Sequence, residues 1–417
     1  MLMPVIRRLA VLLALFLILA AAASCTWGEP SASEQPSPLP SASEQPPPLI
    51  YDDAPVYNVP VKNIEDTDFL LENIEIPSQV SPYELNGSIF YNSAGMYFLV
   101  DNTYALMSKG RANSENSWPG PHDVAYYNFR TDEWETPLNH GEDIYIYPVY
   151  ADETHSVAAT HGDPSGYPSA IVKGTLVFLD REAGAVTTIF RYPPISEGSI
   201  FTGFHLNNIT ILDGQIYFDD FTVYSFDGSG GSDTDSTLYA YDIESGALRV
   251  VREHAMNPIV YKDEVWFFTP DKDGSYTLLQ SESGGQPLKN HHEIGALASS
   301  QGRLFTTRGM GEDAALGTSL TGVFEWGGGT AIAESRKGNV IYGLQGNQDF
   351  LVWQTSMPNQ PPCVYDIAED TLYEFTDYER CEYTFYLGGR AGLIHIREID
   401  ASGAETGNEV YRLFQKP

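Results

Sequence analysis

Short runs of aromatic and β-branched residues recur along most of the chain, and polar turns rich in Gly, Asp and Asn separate them. The runs lack the 3.6-residue periodicity of an amphipathic helix, so the pattern predicts strands throughout. One unit recurs: a strand, a tight turn and a second, stronger strand. The second strands of seven such units begin near residues 96, 156, 215, 265, 303, 350 and 393.

Each unit is followed by a second hairpin with a polar turn, clearest at residues 124–134, 176–186, 238–248 and 364–372. Two hairpins make a four-stranded sheet, and a spacing of roughly 40 to 60 residues is that of propeller blades. We therefore predict an all-β fold, a β-propeller of seven four-stranded blades. Six or eight blades remain alternatives, because the weak unit at residues 145–160 can be divided differently.

The last unit, residues 383–414, supplies only three strands. The N-terminal run at residues 68–76 has no hairpin of its own, so we expect it to be the missing outer strand of the last blade. An open stack of sheets would leave two unpaired edges. The two ends of the propeller domain therefore close the ring together.

Two hairpins carry a shared motif, Tyr241-Asp-Ile-Glu-Ser-Gly246 and Tyr365-Asp-Ile-Ala-Glu369. Together with the aromatic strands, this motif resembles the bacterial β-propeller proteins related to the Tol-B-like and DPP-IV-like propellers. The resemblance covers residues 65–417. It implies the fold and leaves the function open, because propellers include enzymes, binding proteins and scaffolds.

The N-terminus has the pattern of an export signal: Arg7 and Arg8, an apolar run at residues 9–19, then small residues. Ala22-Ala23-Ser24-Cys25 resembles the lipobox of bacterial lipoproteins, which implies cleavage before Cys25 and a diacylglycerol on its thiol. The family prefers Leu at the position of Ala22, so cleavage near Ala23 by ordinary signal peptidase is the alternative. We expect anchoring on the outer face of the cell membrane, or facing the periplasm if the cell has an outer membrane.

Residues 1–24 are thus the expected signal peptide, and residues 25–50 are the lipidated cysteine with a Ser/Pro-rich stalk. The hexapeptide Ser31–Pro36 is repeated at Ser41–Pro46. Such a segment buries little apolar surface, and its prolines keep it extended. Residues 51–417 form the expected propeller domain.

The chain has 56 acidic and 23 basic residues, for a net charge of -33. This charge argues against nucleic acid as a partner, because phosphates need a basic surface. We expect a monomer whose charge keeps it soluble. Cys363 and Cys381 are predicted either to form a disulfide or to be two buried thiols, and a two-cysteine metal site is disfavoured.

Long loops are expected mainly on one side of the propeller, at residues 101–123, 160–173, 219–236, 308–321 and 355–362. We call this side the upper face; it carries the connections from second to third strands and from blade to blade. Insertions on one side of a repeat fold are typical of binding surfaces, although their side chains can also pack locally. The candidate ligand-binding residues are Tyr104, Arg111, Trp118, Tyr167, Asp219, Asp220, Tyr224 and Arg308.

Motifs of catalysis are largely missing: the chain has no Gly-x-Ser-x-Gly, no phosphate-binding loop and no His-Glu-x-x-His. We expect no metal and no other cofactor. Calcium at Asp227, Asp233 and Asp235 is the exception to consider, although the same Gly/Ser-rich loop fits a solvated turn equally well. Carboxylates such as Asp219 and Asp220 are also the residue type that glycoside chemistry needs.

The sequence therefore predicts a membrane-tethered propeller that binds a protein, peptide or glycan outside the cell through its upper face, without catalysis. The alternative is a glycan-processing enzyme, a hydrolase or lyase, with carboxylates at the mouth of the central channel. A sensor or assembly subunit is a third interpretation.

Overall fold

The computed structural model describes residues 55–75, 97–110, 122–135, 145–161, 173–191, 209–220, 222–224, 233–270, 276–284, 288–289, 294–313, 318–336, 339–356, 360–378, 381–400 and 405–417. These residues form 32 strands and one 3₁₀ turn, Ile64–Asp66. Among them no helix is long and apolar enough to cross a bilayer. The prediction of an all-β chain is confirmed.

Three short strands come first: β1 (Val56–Tyr57), β2 (Val61–Asn63) and β3 (Leu70–Ile74). Four-stranded antiparallel sheets follow. Blade 1 contains β4 (Tyr97–Leu99), β5 (Tyr104–Gly110), β6 (His122–Asn128) and β7 (Glu133–Trp134), and blade 2 contains β8 (Tyr145–Ala151), β9 (His155–His161), β10 (Lys173–Asp180) and β11 (Ala185–Arg191).

Blade 3 carries an extra hairpin between its second and third strands. Its strands are β12 (Thr210–Leu212), β13 (Gln215–Asp219), the hairpin strands β14 (Thr222–Tyr224) and β15 (Asp233–Asp235), then β16 (Thr237–Asp242) and β17 (Leu248–Glu253). Blade 4 contains β18 (Met256–Tyr261), β19 (Glu264–Pro270), β20 (Tyr276–Ser281) and β21 (Leu288–Lys289).

The last three blades include strands from the N-terminal segment. Blade 5 contains β22 (Ile294–Ser300), β23 (Arg303–Asp313), β24 (Thr318–Glu325) and β25 (Ala331–Glu334), with β1 added at its edge. Blade 6 contains β26 (Ile341–Gly346), β27 (Phe350–Thr355), β28 (Cys363–Asp366) and β29 (Thr371–Glu374), with β2 added. Blade 7 contains β30 (Cys381–Gly388), β31 (Ala391–Ile399) and β32 (Glu405–Gln415), and β3 is its fourth strand.

The predicted closure of the ring is confirmed. Strand β3 pairs antiparallel with β32 from Leu70 opposite Gln415 to Ile74 opposite Tyr411. Blade 7 is therefore built from both ends of the propeller domain. The fifth strands β1 and β2 were not predicted, because two or three residues give no recognisable strand pattern.

The division of blade 1 corrects the sequence-based prediction. Residues 96–100 were expected to form its second strand, whereas Tyr97–Leu99 is the first strand and the second begins at Tyr104. The run at 88–93, expected to be the first strand, lies outside the described residues. The other six predicted second strands agree with the structure to within about two residues, from β9 to β31.

Seven buried apolar clusters hold the blades together, one at each junction between neighbouring blades. The cluster between blades 7 and 1 joins Leu99 and Tyr127 to Leu393 and Leu413. First strands of adjacent blades also contact each other: β18 contacts β22, and β22 contacts β26. The blades therefore surround a common axis, and each sheet buries both of its faces, as blade packing requires.

Side-chain oxygens fix the turns between strands. Asp101 Oδ1 accepts hydrogen bonds from the backbone N–H groups of Thr103 and Tyr104, at 2.6 and 2.8 Å. Asp242 does the same for the N–H of Ser245 at 2.7 Å, ahead of Gly246 at φ 71°. Only a residue without Cβ adopts that left-handed conformation freely. The Tyr-Asp-x-x-x-Gly motif is therefore a turn motif that places the fourth strand.

Candidate functional site

The two faces of the propeller differ in the length of their connections. First-to-second-strand turns span two to four residues, from 213–214 to 100–103, and third-to-fourth-strand turns span four to six, from 129–132 to 282–287. These turns define the lower face. Three second-to-third-strand connections reach much further, 111–121, 162–172 and 220–236, whereas the other four span four to seven residues. The longest connections join strand ends on the upper face, as the sequence indicated. The long loop expected at 308–321 is wrong, because β23 and β24 occupy most of it and only residues 314–317 lie between them.

Asp219 and Asp220 lie at the upper end of blade 3, where β13 ends. Asp219 is 1% exposed, and its Oδ2 accepts a hydrogen bond of 2.7 Å from the backbone N–H of Asn257 in blade 4. Only residues 254 and 255 connect β17 to β18, and both His254 and Asn257 have positive φ. The buried carboxylate thus stabilises a tight link between two blades.

The neighbouring carboxylate is also engaged within the fold. Asp220 Oδ1 accepts a 2.6 Å hydrogen bond from the N–H of Thr237, and its Oδ2 accepts one of 3.3 Å from the hydroxyl of Tyr239. These contacts fix the base of the β14–β15 hairpin, which contains Tyr224. Both acids therefore bind donors of the protein itself, which is a structural role for candidates that the sequence presented as ligand-binding.

Arg308 was expected on an upper loop, but it lies inside strand β23, where its Cα is opposite Ile294 and Gly322. Its guanidinium carbon is 3.5 Å from the centroid of the Phe324 ring. Its Nη2 donates a 3.1 Å hydrogen bond to the carbonyl of Gly328, in a lower turn. Burial lowers the pKa of this guanidinium. The side chain therefore extends down the blade and away from the upper face.

Tyr104 corrects the prediction in the same way, because it begins β5 directly after a lower turn. The guanidinium of Arg181 in blade 2 lies 4.1 Å from the Tyr104 ring centroid and 4.3 Å from that of Tyr126. Arg181 also donates two hydrogen bonds, of 2.6 and 3.2 Å, to the carboxylate of Glu135. This cation-π and ion-pair arrangement joins blades 1 and 2.

An open cleft of about 420 Å³ lies beside this contact. Tyr104, Asn128, Glu133, Trp134 and Glu135 line it. The Trp134 ring packs against the Tyr127 ring, with 4.8 Å between the ring centroids. The Glu135 carboxylate forms an ion pair with Arg181. The cleft is thus a polar gap beside a junction between blades, on the lower face.

The remaining candidates lie where no contacts are described. Arg111, Trp118, Tyr167, Asp227 and Cys25 fall outside the described residues, and the side chains of Tyr224, Asp233 and Asp235 do as well. Within the described part of the chain, no group of three or more His, Cys, Asp and Glu side chains is placed to hold a metal ion. Calcium binding at the hairpin therefore stays a prediction.

Cys363 and Cys381 are free and buried, so the second of their two predicted states is the one found. Cys363 packs in the cluster between blades 5 and 6, and Cys381 in the cluster between blades 6 and 7. The sheet of blade 6 lies between the two clusters, so the thiols face different junctions. Burial raises the pKa of each thiol to about 12.

Ion pairs across the lower face are the feature that the sequence did not reveal. Several of their residues lie in or beside turns between third and fourth strands, which the polar turn pattern identifies. Each residue's ion-pair partner lies on a neighbouring blade and comes close only when the ring is closed, so no sequence signal identifies that partner. The pairs are Arg130 with Glu72 at 2.5 Å, Arg181 with Glu135 at 2.6 Å, Arg249 with Glu282 at 2.7 Å, and Lys416 with Asp366.

No protein-family model matches the chain, and no curated protein matches it in sequence. Solved structures with a similar fold include a prolyl endopeptidase (16% identity, 72% of this chain and 45% of that one, TM-score 0.37). A second is the propeller domain of the trilobed protease of Pyrococcus furiosus, with 10% identity over 75% of this chain and 96% of that one and a TM-score of 0.44. A third is the polysaccharide lyase Uly1, with 10% identity over 88% of this chain and 98% of that one and a TM-score of 0.42.

The chain spans about half the length of the prolyl endopeptidase and of a puromycin hydrolase that it also resembles. At these identities and TM-scores, the similarities carry no argument about activity. The fold itself is a seven-bladed β-propeller, and the closer relationship to Tol-B-like and DPP-IV-like propellers stays a prediction.

Proposed function

We propose that this chain is an exported, lipid-tethered β-propeller that binds a protein, peptide or glycan outside the cell through its upper face, and that it catalyses no reaction. The observation that carries the proposal is the difference between the two faces. The lower face has short turns and ion pairs between blades, whereas the long insertions are all on the upper face. Loops on a rigid scaffold are where binding residues concentrate.

The occupied carboxylates support binding over catalysis. A glycosidase needs two carboxyl groups that face a substrate, separated by about 5 to 10 Å. Asp219 and Asp220, the acids at the upper end of blade 3, instead accept hydrogen bonds from Asn257, Thr237 and Tyr239. Because these carboxylates already accept hydrogen bonds that stabilise the fold, they are poor candidates for a general acid and a general base.

The tether is tested by replacing the cysteine that would carry the lipid. We expect Cys25→Ser to move the protein from the membrane fraction to the soluble exported fraction, because a diacylglycerol anchor is lost. Thr26→Ser, a substitution of the next residue, is the matched control and should leave the protein membrane-bound. Membrane retention of the Cys25→Ser protein would overturn the lipid anchor.

The binding surface is tested with the soluble form, residues 51–417, on printed glycan and peptide arrays and on immobilised envelope proteins. We expect a ligand signal that is lost in the upper-face double variant Arg111→Ala, Trp118→Ala. The signal should persist in Lys262→Ala, which alters a lower turn. Equal loss in both variants would refute the upper-face assignment, and release of cleaved glycan from the array would refute the absence of catalysis.

A further inference from the structure

The N-terminal segment of the propeller has two parts that are held very differently. We call residues 55–63 the strap and residues 64–74 the clasp. The strap supplies β1 and β2, which are fifth strands on blades 5 and 6. The clasp supplies β3, the fourth strand of blade 7. Blades 5 and 6 each keep four strands without the strap, whereas blade 7 would have three without the clasp.

The strap is held less tightly than the clasp, although Pro55 is buried and Tyr57 and Val59 pack against the apolar cluster between blades 5 and 6. Backbone hydrogen bonds also join it to Ile332 and Leu372. Strand β1 pairs at two positions with β25, and β2 pairs at three positions with β29. Asn58, Pro60, Val61 and Lys62 are exposed. The Asn58 side-chain amide donates 3.0 Å hydrogen bonds to the carbonyl of Ala331 and to Glu334 Oε1. The ion pair of Lys62 is 3.9 Å long and exposed, and such pairs contribute little.

The clasp is bound far more firmly. Ile64 is fully buried and Phe69 is 9% exposed, and both belong to the apolar cluster between blades 6 and 7. Strand β3 pairs with β32 at five positions. Glu65 forms a 2.6 Å ion pair with Arg412, and Glu72 forms one of 2.5 Å with Arg130. The boundary between loose and firm attachment is therefore at residue 64.

The strap covers a buried thiol. The hydroxyl of Tyr57 lies 3.7 Å from Cys363 Sγ, and Cys363 is 1% exposed. Cys381, the first residue of β30 in blade 7, packs in the cluster between blades 6 and 7 that the clasp completes. Removing the strap would uncover Cys363 and leave Cys381 covered.

We infer that residues 55–63 form a releasable strap: it can leave blades 5 and 6 while the seven-bladed ring stays closed, and its release exposes Cys363 and the outer edges of both sheets. Local opening of weakly held segments below the global unfolding free energy is a general property of proteins. An uncovered sheet edge pairs readily with an extended segment. The inference is independent of the proposed ligand and of the lipid.

The test is residue-resolved thiol labelling of the full chain with a maleimide at pH 7.5 under native conditions, read by peptide mass spectrometry. We expect Cys363 to react faster than Cys381 in the unsubstituted protein. Asn58→Ala should speed Cys363 labelling by roughly three- to tenfold, because strap hydrogen bonds are lost without touching the thiol. Cys381 labelling should not change.

Asn408→Ala is the matched control, because it removes an exposed 2.9 Å hydrogen bond from an asparagine amide to Glu398 Oε2 in blade 7. It should leave both labelling rates unchanged. Equal rates at Cys363 and Cys381 in the unsubstituted protein would show that only global unfolding exposes them, and the inference would be overturned. Equal acceleration by Asn58→Ala and Asn408→Ala would overturn it as well.

Discussion

Replacement of Asp219 separates a structural from a chemical role at the upper end of blade 3. The carboxylate is almost fully buried and accepts a 2.7 Å hydrogen bond from the N–H of Asn257. A hydrogen bond to a charged group contributes about 1.5 to 3 kcal/mol. Because Asp219→Ala removes this bond to an almost fully buried carboxylate, we expect a loss of about 2 to 3 kcal/mol.

The assay is urea unfolding of residues 51–417 at pH 7, followed by tryptophan fluorescence. Asp219→Asn keeps an acceptor oxygen, so it should lose about 1 kcal/mol. Asp377→Ala, an exposed control whose carboxylate is 3.9 Å from the Arg412 guanidinium, should change stability by less than about 0.5 kcal/mol. If the Asp219→Ala protein were as stable as the Asp377→Ala protein, the Asp219 carboxylate would not stabilise the link between blades 3 and 4. It would then again be a candidate for binding a ligand.

Three further outcomes are expected. Arg181→Ala should lower the free energy of unfolding by about 1 kcal/mol in the same urea assay, because the partly exposed ion pair and the cation-π contacts that join blades 1 and 2 are lost; an unchanged midpoint would contradict the role of this contact. Burial raises the pKa of Cys363 and Cys381 from 9.0 to about 12, so the folded state keeps protons that the unfolded state releases. The contribution of these thiols to the free energy of unfolding should thus be fully present below pH 9 and decrease between pH 9 and 12. Cys363→Ala should make that decrease smaller, as measured by urea unfolding at each pH. Gly388→Ala should lower the thermal midpoint markedly, because a Cβ there would overlap the backbone of Leu99 and push blades 7 and 1 apart; a normal midpoint in differential scanning fluorimetry would refute that close approach.

The repeated sheets were predictable from sequence because each blade is local in the chain. Short continuous runs of aromatic and β-branched residues in β19 and β27, and the turns at Asp242 and Asp366, identify strand and turn without reference to other blades. The closing strand was predictable by elimination, since the last unit lacked one strand. Blade 1 was divided wrongly because its short first strand, Tyr97–Leu99, has the same aromatic pattern that second strands have elsewhere.

The candidate residues were harder to place, because their roles depend on contacts between distant segments. Nothing in the local sequence shows that the Asp219 carboxylate meets an N–H in the next blade, or that the Arg308 side chain extends towards a lower turn. A shift of a few residues in strand assignment also moves a residue from one face to the other, as it did for Tyr104. Upper-face loops were therefore located better than individual side chains.

The pairing of Leu70–Ile74 with Glu405–Gln415 has a consequence for folding. These two strands are separated by more than 330 residues, and contacts between such distant segments slow folding. Six blades can form from neighbouring hairpins during synthesis, but the seventh must wait for its last strand to emerge. Until then β3 has no partner, and a chaperone that protects an unpaired N-terminal strand would raise the yield of closed rings.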